Sequence, residues 1–200
     1  MEYCEVSVLT DPEVIQRVLD GDTDLFEILV ERYQNHVYGT VYRFLGGHSD
    51  VDDVAQEVFV TAYKNLGRFA YRSQFSTYLY RIAVNKCIDW ARKNKRETSR
   101  RHTDASEELP ILDQLPDRDP SPEEAFIRKK ERQSVQATLD DLSERYRSVL
   151  ILYYYQELSY KEIAHVLDLP VRTVETRLYR ARHAFEKHMK KEGEPHEKQG

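Results

Sequence analysis

The chain has 200 residues, which is enough for one or two domains that each bury a core. Charged residues make up 32% of it, whereas glycine and proline number 7 each, and this balance favours helices over a turn-rich β fold. No stretch approaches the roughly 18 apolar residues of a membrane span, and Met1–Asp20 is too charged for a signal peptide. Membrane insertion and export are therefore not expected, so Cys4 and Cys87 should be reduced, with Cys87 packed in a core.

The formal net charge of −5 conceals an arrangement in blocks. Met1–Val60 has a balance of −10, Thr61–Arg101 of +9, His102–Phe126 of −7 and Ile127–Gly200 of +3. Within the last block, Pro170–Lys191 holds 7 basic and 2 acidic residues. Two basic zones separated by an acidic spacer indicate two nucleic-acid contacts, and the acidic first part indicates a protein contact.

The first predicted domain spans residues 11–96 and consists of four helices. Asp11 is expected to cap the first of them, with Pro12-Glu13 in its first turn. Apolar periodicity predicts three more, which run from Asp22 or Thr23 to Leu45, from Val51 to Leu66, and from Thr77 to about Lys95.

The third predicted helix has an acidic exposed face. Val51, Val54, Val58 and Ala62 form its apolar side, and the opposite side carries Asp52, Asp53, Gln56 and Glu57. Acidic residues suit the first turn of any helix because they complement the helix dipole. The spacing alone therefore favours a solvated face over a docking surface for a basic partner.

The segment after this helix interleaves cations with aromatic rings. It contains Arg68, Phe69, Tyr71, Arg72, Phe75, Tyr78, Tyr80 and Arg81. On the fourth predicted helix, Tyr78 and Arg81 share one face with Asn85 and Asp89, and this face is extended by Arg92, Lys93, Lys95 and Arg96. Rings that stack on bases, next to cations that neutralise phosphates, are typical of proteins that hold single-stranded nucleic acid. Part of the aromatic set must belong to the core, so about half of the rings are expected to be exposed.

Residues 97–122 are predicted to form a flexible acidic linker, because they combine four prolines with many acids and little periodicity. A short apolar island interrupts it at Leu109, Ile111, Leu112 and Leu115. The second predicted domain, residues 123–190, begins with one helix to about Leu139 and another from Ser143 to Gln156. The expected architecture is thus all-α, with two helical domains joined by a linker.

The segment Leu158–Phe185 has the pattern of a helix-turn-helix, whose second helix enters the DNA major groove. Ser159 and Glu162 form a capping box at its start, and Pro170 ends the first helix and begins the second. The predicted apolar positions are Ile163, Ala164 and Leu167 on the first helix, and Val171, Val174, Leu178, Ala181 and Phe185 on the second.

The second helix of this motif carries the candidate contacts to duplex DNA. They are Arg172, Thr173, Glu175, Thr176, Arg177, Tyr179 and Arg180. Arginine can bond guanine or phosphate, and threonine can bond a base or a phosphate. An ordinary helical hairpin with a solvated charged face is the competing interpretation.

Three functions can be compared on these sequence features. A two-domain transcriptional regulator that uses only the helix-turn-helix would have the first domain for sensing or dimerisation, and would bind palindromic half-sites. A helical enzyme acting on nucleic acid lacks support, because no phosphate loop, nucleophile–base arrangement or metal-ligand spacing among the seven histidines is present. A purely protein-binding adaptor would leave the basic helix face unexplained.

The acidic helix, the aromatic-basic segment and the helix-turn-helix, in this order, resemble the extracytoplasmic-function (group 4) sigma factors of bacterial RNA polymerase. The resemblance covers the chain from about Asp11 to Lys190. It implies that residues 11–96 are sigma region 2, residues 97–122 the linker and residues 123–190 sigma region 4. It further implies that Asp52–Phe59 binds the clamp helices of the polymerase β′ subunit, that Phe75–Asn85 reads and melts the promoter −10 element, and that Leu158–Phe185 reads the −35 element.

The resemblance implies three partners. The first is core RNA polymerase, contacted through its β′ clamp helices and its β flap. The second is promoter DNA, bound as a −35 duplex and a −10 single strand, and the third is an anti-sigma factor. The resemblance also implies a non-enzymatic protein of the bacterial cytoplasm without a cofactor, which an anti-sigma factor could hold at the membrane. Two positions depart from the family pattern: Tyr78 stands where tryptophan is common, and Glu175 replaces a cation. A carboxylate accepts from cytosine N4 but repels phosphate.

Overall fold

A computed structural model describes residues 9–98 and 122–193, and every regular element within these ranges is helical. The predicted all-α class is confirmed. The chain divides into two compact units, one with Met1–Val41 and Ser49–Asp104, the other with Tyr42–His48 and Ala105–Gly200. Within the described ranges no helix is long and apolar enough to cross a membrane. Cys4, the apolar island and nearly all of the predicted linker lie outside the described residues.

Four α-helices form most of the first part of the chain. They are α1 (Asp11–Leu19), α2 (Phe26–Leu45), α3 (Val51–Lys64) and α4 (Phe75–Thr98), with 3-10 turns at Thr23–Leu25 and Leu66–Arg68. The buried side chains of the first unit include Val14, Ile15, Leu29, Val37, Val54, Val58, Leu79, Ala83 and Cys87. Within each helix these buried residues lie on one side, so that side is removed from water. The predicted core position of Cys87 is confirmed.

The start of α1 differs from the prediction, because Thr10 and not Asp11 precedes the helix as its cap. The backbone N–H and the hydroxyl of Thr10 both donate to the Glu13 carboxylate at 2.7 Å, and these bonds lower the pKa of Glu13. Asp11 is thereby free to contact α2, where it accepts hydrogen bonds from Arg32 and Tyr33.

α3, which carries the acidic face, packs on α4 in the first unit. Trp90 of α4 donates from Nε1 to the Asp50 carboxylate at 2.7 Å, immediately before α3 begins. α3 ends at Lys64, two residues before the predicted end, and α4 begins at Phe75, two residues before the predicted start. Offsets of this size are usual where a helix frays into a 3-10 turn.

The second unit contains α5 (Pro122–Asp141), α6 (Glu144–Tyr154), α7 (Tyr160–Leu167) and α8 (Val171–Gly193). Its buried side chains include Leu139, Leu142, Val149, Ile151, Leu152, Ile163, Val166, Val174, Leu178 and Ala181. Arg147 of α6 donates to the carbonyls of Leu139 and Asp140, at 2.8 and 2.6 Å, and so satisfies the C-terminal end of α5.

Candidate protein-binding and nucleic-acid interfaces

The acidic face of α3 is exposed along its whole predicted length. Asp52, Asp53, Gln56 and Glu57 are all exposed, while the valines and alanines of the opposite side are buried. Glu57 also pairs with Lys86 of α4 at 2.9 Å, and 64% of the Glu57 side chain remains accessible. The pair is solvated and therefore weak, so a basic partner can compete for the carboxylate.

Two apolar residues that the sequence analysis did not single out continue this surface. Val60 is 44% exposed and Tyr63 is 42% exposed, and the Tyr63 ring packs edge-on against Phe26. Val60 lies two residues after buried Val58, and this interruption of the helical period was the available sign that it faces outward. Exposed apolar and aromatic side chains surrounded by a polar rim are typical of protein interfaces.

The aromatic loop forms a connected cluster of rings between the end of α3 and the start of α4. Phe69 contacts Tyr71, Phe75 and Tyr78, with ring centroids 5.0, 5.7 and 5.1 Å apart. Tyr71 is 48% exposed, whereas Phe69 and Tyr78 are partly buried. Burial raises the pKa of Tyr78 above its ordinary value. The cluster therefore presents a supported edge of rings to solvent. 

The structure places Phe75 differently from its predicted role. Phe75 is only 2% exposed, because its ring is enclosed by Tyr33, Phe69 and Tyr78. It can support the exposed rings but does not offer its own face to a base. Tyr80, also counted among the aromatic candidates, is buried at 5% exposure.

The arginine and asparagine candidates of the same surface are accessible. Arg68, Arg72, Arg81, Asn85 and Arg92 are all exposed. Arg92 lies 3.7 Å from Asp89 in an exposed i,i+3 pair, which is too well solvated to hold it strongly. Cations along α4 therefore flank the aromatic cluster, which is the arrangement that single-stranded nucleic acid requires.

Local hydrogen bonds set both ends of α7, the first helix of the helix-turn-helix. The predicted capping box is confirmed: Glu162 N–H donates to Ser159 Oγ at 3.3 Å, and Ser159 N–H donates to the Glu162 carboxylate at 2.8 Å. At the other end Asp168 adopts a left-handed conformation, with φ 53°, and Leu169 N–H donates back to the Ala164 carbonyl at 2.9 Å. This turn reverses the chain before α8.

The buried face of the motif mostly follows the prediction, but Val171 is exposed and Leu167 and Phe185 are only partly buried. Val174, Leu178 and Ala181 are buried, but Val171 is 37% exposed because it occupies the first turn of α8, ahead of the packed region. Val166 is buried where Leu167 was predicted.

The outer face of α8 carries the predicted duplex contacts. Arg172, Glu175, Thr176, Tyr179 and Arg180 are exposed, and Thr173 and Arg177 are partly buried. Tyr179 is the most accessible, at 71%, and its ring lies edge-on to His183 with centroids 6.5 Å apart. The Thr176 hydroxyl donates to the Arg172 carbonyl at 2.9 Å, so its oxygen can accept a hydrogen bond from DNA but its proton is already used.

One arginine in the basic stretch of α8 has a structural function. The Arg182 guanidinium lies over the rings of Tyr153 and Tyr154, 5.1 and 5.4 Å from their centroids. These cation–π contacts fasten α8 to α6. Of the 7 basic residues in Pro170–Lys191, Arg182 is therefore used for packing and is not a candidate for DNA contact.

Two family models and several known proteins match this chain. The family model for Sigma-70 region 2 matches residues 29–97, and the model for Sigma-70, region 4 matches residues 132–184. The ECF RNA polymerase sigma factor SigW of Bacillus subtilis is 37% identical over 180 residues, which cover 88% of this chain and 95% of the relative. The ECF RNA polymerase sigma-E factor of Escherichia coli K12 is 37% identical over 183 residues, with 89% and 93% covered.

The chain belongs to the extracytoplasmic-function sigma factors. Among solved structures, CnrH in complex with the cytosolic domain of CnrY matches with a TM-score of 0.65 and 26% identity, covering 90% of this chain and 97% of that one. The sigma factor RpoE of Bartonella quintana, in complex with the anti-sigma factor NepR, shares the fold with a TM-score of 0.65, covering 82% of this chain and 96% of that one. Such a sigma factor is a transcription initiation factor that directs core RNA polymerase to promoter DNA.

Proposed function

We propose that the exposed face of α3 is the main polymerase contact of this sigma factor. Asp52, Asp53, Gln56 and Glu57 would bind the β′ clamp helices, with Val60 extending the contact. The observation that supports this most directly is the separation of an accessible acidic face from a fully apolar one on a single helix. Within the second unit, region 4 would additionally contact the β flap.

The aromatic cluster and α4 would hold the melted −10 strand. Tyr71 and Tyr78 would stack on unstacked bases, and exposed Arg68, Arg72, Arg81, Asn85 and Arg92 would contact the backbone or base edges. Capturing a base offsets unstacking, which costs a few kcal/mol per base. The captured strand therefore favours the open promoter.

The outer face of α8 would read the −35 duplex. Arg172, Arg177 and Arg180 supply cations, and Thr173, Glu175, Thr176 and Tyr179 lie on the same helix. Glu175 is the position at which the sequence preference of this chain should depart from that of relatives with a cation there, because it accepts hydrogen bonds and repels phosphate.

The domain boundaries at residues 11–96, 97–122 and 123–190 are part of the same proposal. The protein would act without catalysis, in the cytoplasm, and an anti-sigma factor would cover its working surfaces and could hold it at the membrane. One solved structure with a matching fold is a complex of the sigma factor RpoE with the anti-sigma factor NepR, which supports an anti-sigma partner for this chain.

Run-off transcription with purified core polymerase on a random promoter library tests the whole assignment. We expect transcripts from a subset of templates that share two elements, one upstream and one near the start site. The selected templates could instead share a palindrome. If the protein binds that palindrome equally well without core enzyme, the result favours the helix-turn-helix regulator. A gel shift with and without core polymerase supplies that comparison.

Reversal of two charges on α3 tests the polymerase contact. Asp53→Lys together with Glu57→Lys should reduce core binding in a pull-down at least tenfold, because each substitution replaces attraction to a basic surface by repulsion. Glu27→Lys with Glu31→Lys is the matched control, since both glutamates are exposed acids of α2 and the net charge changes equally. Equal binding by the α3 variant and the control would refute the assignment.

A further inference from the structure

α1 is joined to α2 by a shielded polar network. The Tyr33 hydroxyl donates to Asp11 Oδ2, and Asp11 Oδ1 accepts from Arg32 Nη1 at 2.9 Å. Arg32 also donates through Nη2 to the Leu9 carbonyl. Only 21% of the Asp11 side chain and 28% of the Arg32 side chain are exposed. The geometry of this network is therefore better determined than that of a solvated ion pair.

The other side of Tyr33 contacts the aromatic cluster. Its ring meets Phe75 at a centroid distance of 5.7 Å and an interplanar angle of 62°. Phe75 in turn lies 5.7 Å from Phe69 and 5.9 Å from Tyr78. Burial, followed by the hydrogen bond to Asp11, raises the pKa of Tyr33, so the phenol remains a donor at any physiological pH. A continuous series of contacts thus runs from Asp11 to the exposed rings.

A second contact connects α1 to the start of the aromatic loop. Leu19 Cδ2 lies 3.8 Å from the point that a β-carbon on Gly67 would occupy. The end of α1 therefore lies beside the 3-10 turn Leu66–Arg68, from which the aromatic loop starts, while Asp11 is linked to the rings of the loop through Tyr33. α1 precedes residue 29, where the match to Sigma-70 region 2 begins.

We propose that Tyr33 and Asp11 are positioning residues for capture of the melted −10 strand. They touch no DNA. Asp11 fixes the Tyr33 ring, and the Tyr33 ring fixes Phe75, on which Phe69 and Tyr78 rest. Stacking on a ring that is already oriented costs less conformational entropy than stacking on a mobile one. The inference rests on the proposed −10 function of this cluster.

The test measures strand capture by the complex of the full chain with core polymerase. The probe is a labelled single-stranded oligonucleotide carrying the −10 sequence selected from the promoter library, and binding is followed by anisotropy from about 50 to 200 mM salt. Tyr33→Leu should weaken binding about tenfold with an unchanged salt slope, because stacking is lost while phosphate contacts remain.

Smaller changes isolate the hydrogen bond from the packing. Tyr33→Phe keeps the ring and loses the hydroxyl, and Asp11→Ala removes the acceptor; each should weaken capture about threefold. The double variant should lose no more than Asp11→Ala alone, because Asp11→Ala already removes the acceptor of the Tyr33 hydroxyl together with that of Arg32. Arg17→Gln is the control: it breaks an exposed pair with Asp22 at the end of α1, and capture should be unchanged.

The outcomes separate this inference from the function on which it rests. If Tyr71→Ala weakens capture while Tyr33→Leu, Tyr33→Phe and Asp11→Ala do not, the positioning role is wrong and the −10 site stands. If Tyr71→Ala also leaves capture unchanged, the −10 assignment itself is wrong. Additive losses in the double variant, or a changed salt slope for Tyr33→Leu, would also overturn the positioning role.

Discussion

Tyr71 is a large side chain held in a backbone conformation that suits glycine or asparagine. Its φ of 53° lies in the left-handed region, where a bulky residue costs on the order of 1–3 kcal/mol. The conformation brings the Tyr71 ring against Phe69 while leaving 48% of the residue exposed. Strain that persists at an exposed ring is understandable if the ring is needed for binding and not for folding.

Substitution of Tyr71 should therefore separate stability from strand capture. Tyr71→Asn should leave the free energy of unfolding within about 0.5 kcal/mol of the unsubstituted protein, whereas Tyr71→Val should lower it by about 1–2 kcal/mol, because a β-branched residue tolerates positive φ poorly. Both variants lose the ring, so both should bind the −10 oligonucleotide equally weakly. Urea unfolding and anisotropy measure the two effects, and capture that tracks stability would contradict the argument.

α7 shows how short elements depend on their ends. A helix of 8 residues is marginal by itself, so its caps and its packing on neighbouring helices must supply the stability. The Ser159–Glu162 box satisfies its first turn, and left-handed Asp168 closes its last one. These two ends also set the direction in which the chain enters α8, and hence the aim of the duplex-reading face.

Loss of the α7 cap should loosen this element locally. Ser159→Ala should cost about 1 kcal/mol, which is about fivefold less protection of the α7 amides from hydrogen exchange. Ser159→Thr should preserve most of the protection, because threonine keeps the hydroxyl that accepts from the Glu162 N–H and donates to the Glu162 carboxylate. Binding to a −35 duplex should fall in the alanine variant only. Equal protection in all three proteins would show that packing and not the cap determines the stability of α7.

At the scale of the whole molecule, the charge blocks oppose DNA binding by the free protein. Met1–Val60 carries a balance of −10, and the exposed acids of α2 and α3 contribute to it. Phosphate contacts dominate affinity for DNA, so a field of this sign weakens binding until the acids meet a basic partner. Polymerase docking would thereby relieve the repulsion as well as place the two DNA-reading surfaces.

The Glu27→Lys and Glu31→Lys variant tests this electrostatic argument. It should bind duplex DNA several-fold more tightly than the unsubstituted protein in the absence of polymerase, and the gain should shrink as salt rises from about 50 to 200 mM, because charges are screened over about 10 Å. Promoter preference in the presence of core enzyme should not change. A gain that is independent of salt would point to a direct new contact and against a long-range effect.

Local patterns predicted those features whose physics is local. Helix type and approximate bounds follow from apolar spacing, the α7 cap from Ser159 and Glu162, and the exposure of the α3 acids from their place opposite the valines. The cap of α1 was missed by one residue, because Asp11 is as good a cap by type as Thr10. Only its bonds to Arg32 and Tyr33 show that Asp11 has another use.

The sequence by itself determined the helical class, the charge blocks and the order of the three motifs, because periodicity, charge and capping act over a few residues. Tertiary structure decided which members of each set are available. It buried Phe75 and Tyr80, placed Arg182 over tyrosines, and linked Asp11 to the aromatic cluster. These outcomes depend on contacts between residues tens of positions apart, which no local period encodes.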